Sequence, residues 1–330
     1  MKLGFFVISA ISFFYLTTSG RAEEMSFSLS PEISNIKGQA YENVYLDNQK
    51  ISELSWQIKN VQMLAVNSRL SYQKMKFGLS YGNSFSQGNN QTMVDSDWVG
   101  TYGGKGCSDG NSCYNDWTHR SWSEEKTTQI RNFDANAYYD VLSNFSLGLG
   151  FKQNTFRWEA YGGDYVYSSI SGGGNLTGFR NESGTFSGKA ISYQQKMNIP
   201  YIGAEINQPL FNKKLMINVR GAYSPWVNAS TVDNHHLRDL TIKSSFNNGS
   251  YYSVGIGLEY FLLKNASVGM RYEFNQISEN RGNATYYNSG YSPLSFKDGA
   301  AYSNKYEKIG FFFKYIFNFQ DDLIKNSMYL

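Results

Sequence analysis

Beyond its first residues the sequence has no run of ~20 apolar residues, the length a membrane-spanning helix needs, and its mean hydropathy is negative. Neither charge sign dominates. The formal net charge of +3 is too small to argue for a nucleic-acid partner, and there is no polybasic patch. Histidine occurs three times in 330 residues and proline five times. The Gly-rich stretch "SGGGNLTG" (171–178) lacks a strand-to-helix context and a following Lys-Ser/Thr, which excludes a phosphate-cradling loop.

What is abundant points elsewhere. Aromatic residues make up 17% of the chain, with 26 Tyr and 23 Phe, beside 31 Gly. The N-terminus reads as an export signal: Lys2, the apolar run 3–16, then Gly20 and Ala22 where a signal peptidase reads small residues. Cleavage is expected near Ala22, leaving a mature chain from Glu23. An exported chain rich in Tyr and Gly, yet only weakly apolar along its length, suits a transmembrane β-barrel, in which only every second residue meets lipid.

Periodicity supports this. Val254, Ile256, Leu258, Tyr260 and Leu262 alternate with Gly255, Gly257 and Glu259, and Val268, Met270, Tyr272 and Phe274 with Gly269, Arg271 and Glu273. Phe145, Leu147, Leu149 and Phe151 alternate with Ser146, Gly148, Gly150 and Lys152. A soluble sandwich alternates in the same way, but the export signal and the aromatic segment ends favour the barrel, which must close because an open edge in lipid leaves backbone groups unpaired.

Ten antiparallel strands are expected, near 32–46, 50–71, 76–88, 126–142, 144–162, 187–207, 212–230, 240–262, 266–280 and 300–319. Tight turns such as "VLSNF" and "LLKNAS" alternate with long segments near 89–125, 163–186, 229–240 and 281–299. In outer-membrane barrels the short turns face the periplasm and the long loops face outside. That parity sets "MVDSDW" (93–98) at the start of the second external loop and "VDNHH" (232–236) in the fourth, both at the outer rim.

Two of the three histidines lie in the second stretch, with Asp233 two residues before His235. On an extended segment that spacing places both side chains on one face, where Asp233 can hold the His235 imidazole in one tautomer and stabilise its cation. Asp95 and Asp97 share a face by the same rule, and close like charges raise at least one carboxyl pKa. A water held between a carboxylate and a neutral histidine can attack an amide without an acyl-enzyme. The plainer readings are a solvated Asp-x-Asp turn or weak cation site, and a surface histidine pair or loose metal site. No third strong ligand accompanies either cluster, which argues against zinc and against any metal requirement.

The motifs "MVDSDW" and "DNHH" (233–236), with "HLRDLT" (236–241), "ISELSWQIKN" (51–60), "YGGDYVYSS" (161–169), "NIPYIGAE" (198–205) and "SYYSV" (250–254), occur in an order that resembles the omptins, outer-membrane endoproteases of Gram-negative bacteria, in particular plasminogen-activator-type members. The resemblance spans essentially the whole mature chain. It implies a ten-stranded barrel over residues 23–317 that rises above the outer membrane, with a catalytic groove at the extracellular rim and a monomeric state. Asp95 and Asp97 would form one catalytic couple and Asp233 with His235 the other. Asp95 and His235 would hold the attacking water, supported by Asp97 and oriented by Asp233. It also implies peptide and protein substrates cut at basic residues, such as antimicrobial peptides or host plasma proteins, with Glu42 as a specificity acid. The family's second specificity acid is replaced here by Thr231, so a basic residue should be preferred with weaker discrimination. No cofactor is implied, but lipopolysaccharide is required. The family's lipopolysaccharide motif on the fifth strand reads "FKQNT" here; Lys196 retains basic character, and Lys152 and Arg157 are further candidates.

Cys107 and Cys113 fall in an insertion after the first aspartate pair. In an exported loop this spacing reads as a small disulfide ring, with a Cys-Cys-His119 metal site as the alternative. The closing strand should end near Phe317, leaving a periplasmic tail over 318–330 with no evident role. A rival function is a barrel adhesin or invasin whose loops bind a partner without catalysis, alone or alongside proteolysis.

Overall fold

A computed structural model describes residues 25–46, 48–99, 117–171 and 176–319. The signal segment 1–22, both cysteines and nearly all of the tail lie outside the described residues. Eleven strands follow one another: β1 (Met25–Leu46), β2 (Gln49–Tyr72), β3 (Met75–Ser84), β4 (Gln91–Asp97), β5 (His119–Leu142), β6 (Phe145–Tyr167), β7 (Glu182–Leu210), β8 (Leu215–His235), β9 (Leu240–Leu263), β10 (Ala266–Asn288) and β11 (Leu294–Asn318). Each pairs antiparallel with its neighbours, and β11 returns to β1 with Phe27 opposite Phe317. Both β3 and β4 lie between β2 and β5, so they are two halves of one position and the ring has ten strands. Among the described residues the sheet closes on itself with no open edge, as lipid requires.

Inside the membrane the usual arrangement of a folded protein is inverted. On β9 the outward side chains between Tyr252 and Tyr260 are Val254, Ile256 and Leu258, all exposed. At ~3.3 Å per residue and a strand tilt near 40°, those eight residues rise ~20 Å, close to the apolar band of an outer-membrane barrel. The inward side is charged. Glu205 is fully buried between Arg69, at 2.7 Å, and Arg220, at 2.6 Å. Lys152 reaches Glu273 at 3.2 Å, and Lys308 and Arg271 reach the buried Glu32 at 3.1 and 3.2 Å. Arg69, Lys152, Arg220, Arg271, Glu273 and Lys308 line a cavity of about 190 Å³, and opposite charges meet in pairs because an unpaired charge cut off from bulk water is costly.

Above the membrane the polarity reverses along the same strands. On β2 the inward residues run from Arg69 and Asn67 upward to Met63, Val61, Ile58 and Trp56, the last four buried. The outward ones run from Val66 and Leu64 to Gln62 and Lys59. Trp56, Trp158 and Tyr193 pack ring to ring at 5.6–6.0 Å, and Phe156 continues the stack toward Tyr306. This aromatic layer separates the ionic lumen from the rim. Tyr251 marks the boundary: its hydroxyl accepts from Lys152 Nζ at 2.9 Å and donates to Asn275 at 2.8 Å.

The expected third strand ended at 88; instead the chain leaves the wall over 85–90 and re-enters as β4. Side chains replace the lost ladder. The Gln57 amide donates to Glu125 Oε2 at 2.8 Å, the Thr127 amide and hydroxyl both donate to Gln91 Oε1, and Gln91 Nε2 reaches the Lys59 carbonyl at 3.3 Å. Gly88 has φ of 73°, and a Cβ there would lie 2.4 Å from the Lys59 carbonyl, so the crossing needs glycine. The external connections are also shorter than expected. Most of 229–240 and 281–299 is strand, leaving 236–239 and 289–293 as turns.

Candidate active site

Both sequence clusters sit on strands near the rim rather than in loops. On β4, Gln91, Met93, Asp95 and Asp97 alternate inward; on β8, Thr231, Asp233 and His235 do the same. The ladders hold them on two sides. Asp95 lies opposite Leu54 and Ser121, and Asp97 opposite Ser52 and His119. Asp233 lies opposite Tyr193 and Ile242, and His235 opposite Ile191 and Leu240. Backbone pairing on both flanks fixes these groups more tightly than a loop would.

Asp233 Oδ2 lies 2.6 Å from His235 Nε2, with Asp233 at 1% and His235 at 9% exposure. Burial acts to depress the His235 pKa, but the charge and hydrogen bond of Asp233 outweigh it and raise the pKa above the ordinary value. Across the groove Asp95 is pushed up to about 8, by burial first and the neighbouring Asp97 charge second, against the pull of His235 and Arg238. Asp97 is raised by burial, with a hydrogen bond from Ser52 opposing. The charge of His235 acts on both aspartates, so the two couples share one groove.

Glu42, on β1, completes the floor. It is 3% exposed and raised well above the ordinary carboxylate range, by burial first and then by the charges of Asp233 and Asp95. Glu42 Oε2, Asp95 Oδ1 and Asp233 Oδ1 are buried without hydrogen-bond partners among the described residues. Thr231 is buried one inward step below Asp233 and bonds to the Tyr193 hydroxyl, so it adds no charge. Among the described residues no group of three or more His, Cys, Asp or Glu has metal-binding geometry.

Several groups near the groove escaped sequence reasoning. Arg238, in the 236–239 turn, acts electrostatically on Asp95, Asp97 and His235. His119, weighed from sequence only as a metal ligand, faces Asp97 across β4 and β5, 3.0 Å from the Thr118 hydroxyl and with its ring 4.9 Å from Tyr167. An insertion separates it from Asp97 in sequence, so no local spacing announces the pair.

The lipid-facing candidates divide. Lys196 points outward, opposite Thr155 and Ser230, and Arg157 shares that outer face, donating to Gln194 at 2.7 Å. Lys152 faces the lumen, bound to Glu273 and Tyr251, and cannot touch lipid. The inward phase of β6 turns it there.

The fold has counterparts. The crystal structure of the outer membrane protease OmpT from Escherichia coli matches with a TM-score of 0.78 at 24% identity, over 91% of this chain and 100% of that one. Protease 7 of Escherichia coli K12 is 28% identical over 309 residues, covering 88% of this chain and 91% of that protein. The plasminogen activator of Yersinia pestis is 28% identical over 291 residues, covering 85% and 86%. The model of the omptin family matches residues 23–317. With its closed ten-stranded wall and near-complete match, this chain belongs to the omptin family of outer-membrane proteases.

Proposed function

We propose that the two couples hold one water and activate it for direct attack on a peptide bond next to a basic residue. The observation that carries this is the set of buried carboxylate oxygens without partners, on Glu42, Asp95 and Asp233, turned into one groove beside His235. Unsatisfied buried acceptors require a donor, and water plus a cationic side chain supply donors of the right kind. His235, held by Asp233, takes the proton of the attacking water and returns it to the amide nitrogen as the C–N bond breaks; Asp95, kept protonated to about pH 8, hydrogen-bonds the water or the developing oxyanion, and Asp97 sustains that state. A substrate Arg or Lys entering beside Glu42 would draw its carboxyl back to the ionised form.

The reading extends to partners. Lipopolysaccharide would bind the outer face around Lys196 and Arg157, and the chain would act as a monomer on cationic peptides or exposed plasma proteins.

Purified protein reconstituted with lipopolysaccharide should cleave Arg- or Lys-containing peptides. Asp95→Ala or His235→Ala should each lower kcat on the order of 10²–10⁴-fold, as loss of a positioned acid or base does, with heat-resistant β-structure retained. The acid limb of the pH profile should lie above the ordinary histidine range, because His235 must be neutral to act as base. Failure to cut any basic peptide would sink the protease mechanism and favour an adhesin. On matched Arg and uncharged peptides the Arg peptide should be preferred; equal rates would remove Glu42 from the specificity site.

A further inference from the structure

We propose that the inner face of the β10–β11 hairpin and the start of β9 form an apolar subsite beside the acidic groove, which takes a large apolar side chain of the peptide substrate. The inference rests on the proteolytic reading above. Its basis is the register around the second couple. His235 and Asp233 lie opposite Leu240 and Ile242 on β9. Ile242 lies opposite Tyr286 on β10, and Tyr286 opposite Leu294 on β11, with Phe296 opposite Ala284 one inward step below. Residues directly opposed on antiparallel strands share a face. Leu240, Ile242, Tyr286, Leu294 and Phe296 therefore stand on the same side of the wall as Asp233 and His235.

Burial changes along this row. Ile242 is 5% exposed, and Leu240 and Tyr286 pack partly buried against the core. Leu294 and Phe296 are 62% and 39% exposed, although they continue the inward row. Phe296 is held edge-on to Tyr286, with ring centroids 5.3 Å apart at 82°. Tyr286 in turn lies near enough to Glu42 and Asp233 for their charges, after burial, to raise its hydroxyl pKa to about 12. The apolar wall and the acidic floor are thus one continuous surface, and no described residue covers its outer end.

Continuity with the groove names the occupant as the substrate. From Asp233 to Leu294 is three strand spacings of ~4.8 Å, about 14 Å, and an extended peptide advances ~3.4 Å per residue. The apolar side chain should therefore sit about four residues from the part of the substrate held at Asp233 and His235. The matching peptide is one in which a basic residue and a large apolar residue are separated by a few positions.

The test is a peptide series with one Arg-containing cleavage centre and either Leu or Ser at each flanking position out to five residues on both sides. Wild-type protein with lipopolysaccharide should prefer Leu by about tenfold in kcat/KM at positions three to five on one side only, as a partly enclosed apolar pocket allows. In Leu294→Ser/Phe296→Ser that ratio should fall to within about twofold of one. Tyr287→Ser, on the outer face of the same hairpin, should keep it, which separates a lost subsite from a disturbed hairpin. A ratio near one in the wild type, or one unchanged in the double variant, overturns the subsite while leaving the protease reading intact. No cleavage of either peptide overturns the protease reading instead.

Discussion

The two halves of this barrel solve opposite problems with one wall. In the membrane half, lipid covers Val254, Ile256 and Leu258 on β9, while Glu205, Arg69 and Arg220 pair inside. In the upper half, Trp56, Trp158 and Tyr193 fill the interior, and residues such as Lys59 and Gln62 meet water. Strand direction does not change at the crossover, although β4 replaces β3 between β2 and β5. What changes is which solvent each face meets, and so the aromatic layer beneath the groove can give Asp95, Asp233 and Glu42 the dry setting that raised carboxyl pKa values require.

The sharpest way to break the comparison is to remove one lumenal charge. Glu205→Ala leaves Arg69 and Arg220 facing each other and should cost about 3–5 kcal/mol; equilibrium unfolding in lipid or micelles measures it. A triple replacement of Glu205, Arg69 and Arg220 by apolar residues should recover most of that loss, because the charges need each other more than the fold needs charges. Next comes the outer face of one strand. Ile256→Lys should cost about 2–4 kcal/mol at mid-membrane depth, whereas Ser245→Lys, higher on the same strand, should change stability by about 0.5 kcal/mol or less. Equal costs would mean the membrane boundary is misplaced.

A smaller effect tests the dry upper wall. Glu125 is 3% exposed and pushed up to about 8 by burial, against its bond from the Gln57 amide and the charge of Lys59. Its folded pKa exceeds its unfolded one, so the native state holds the extra proton and stability falls as pH rises from about 4.5 toward 8. Glu125→Gln keeps an acceptor for Gln57 and should gain on the order of 1–3 kcal/mol at pH 8.5 but almost nothing at pH 4. Thermal midpoints at the two pH values would read this out, and a gain that did not depend on pH would count against a buried neutral carboxyl.

The sequence disclosed the membrane half more fully than the upper half. Its outward rows are largely apolar, so the alternation through Val254–Leu262 or Phe145–Phe151 is plain. Toward the rim, bulges shift the phase, as between Ile277 and Asn280 and between Gly282 and Ala284 on β10. Polar residues there also resemble loop signals. Hence β8 and β10 run past their expected ends, and Asp95 sits on a strand that re-enters after "SFSQGNN". The aspartate and histidine spacing was readable because two residues apart means one face on any strand. Arg238, Tyr286 and the Asp97–His119 pairing were not, because their proximity depends on register across separate strands.

The short 236–239 turn begins immediately after His235, and the long 98–118 connection immediately after Asp97. Asp97 and His235 are the last residues of β4 and β8, so the candidate site stands at the ends of two strands. The 98–118 connection can therefore vary while the inward row of β4 stays in place, whereas the 236–239 turn carries Arg238, whose charge reaches Asp95, Asp97 and His235. A foreign loop grafted into 98–118 should therefore disturb the candidate site less than one grafted into 236–239.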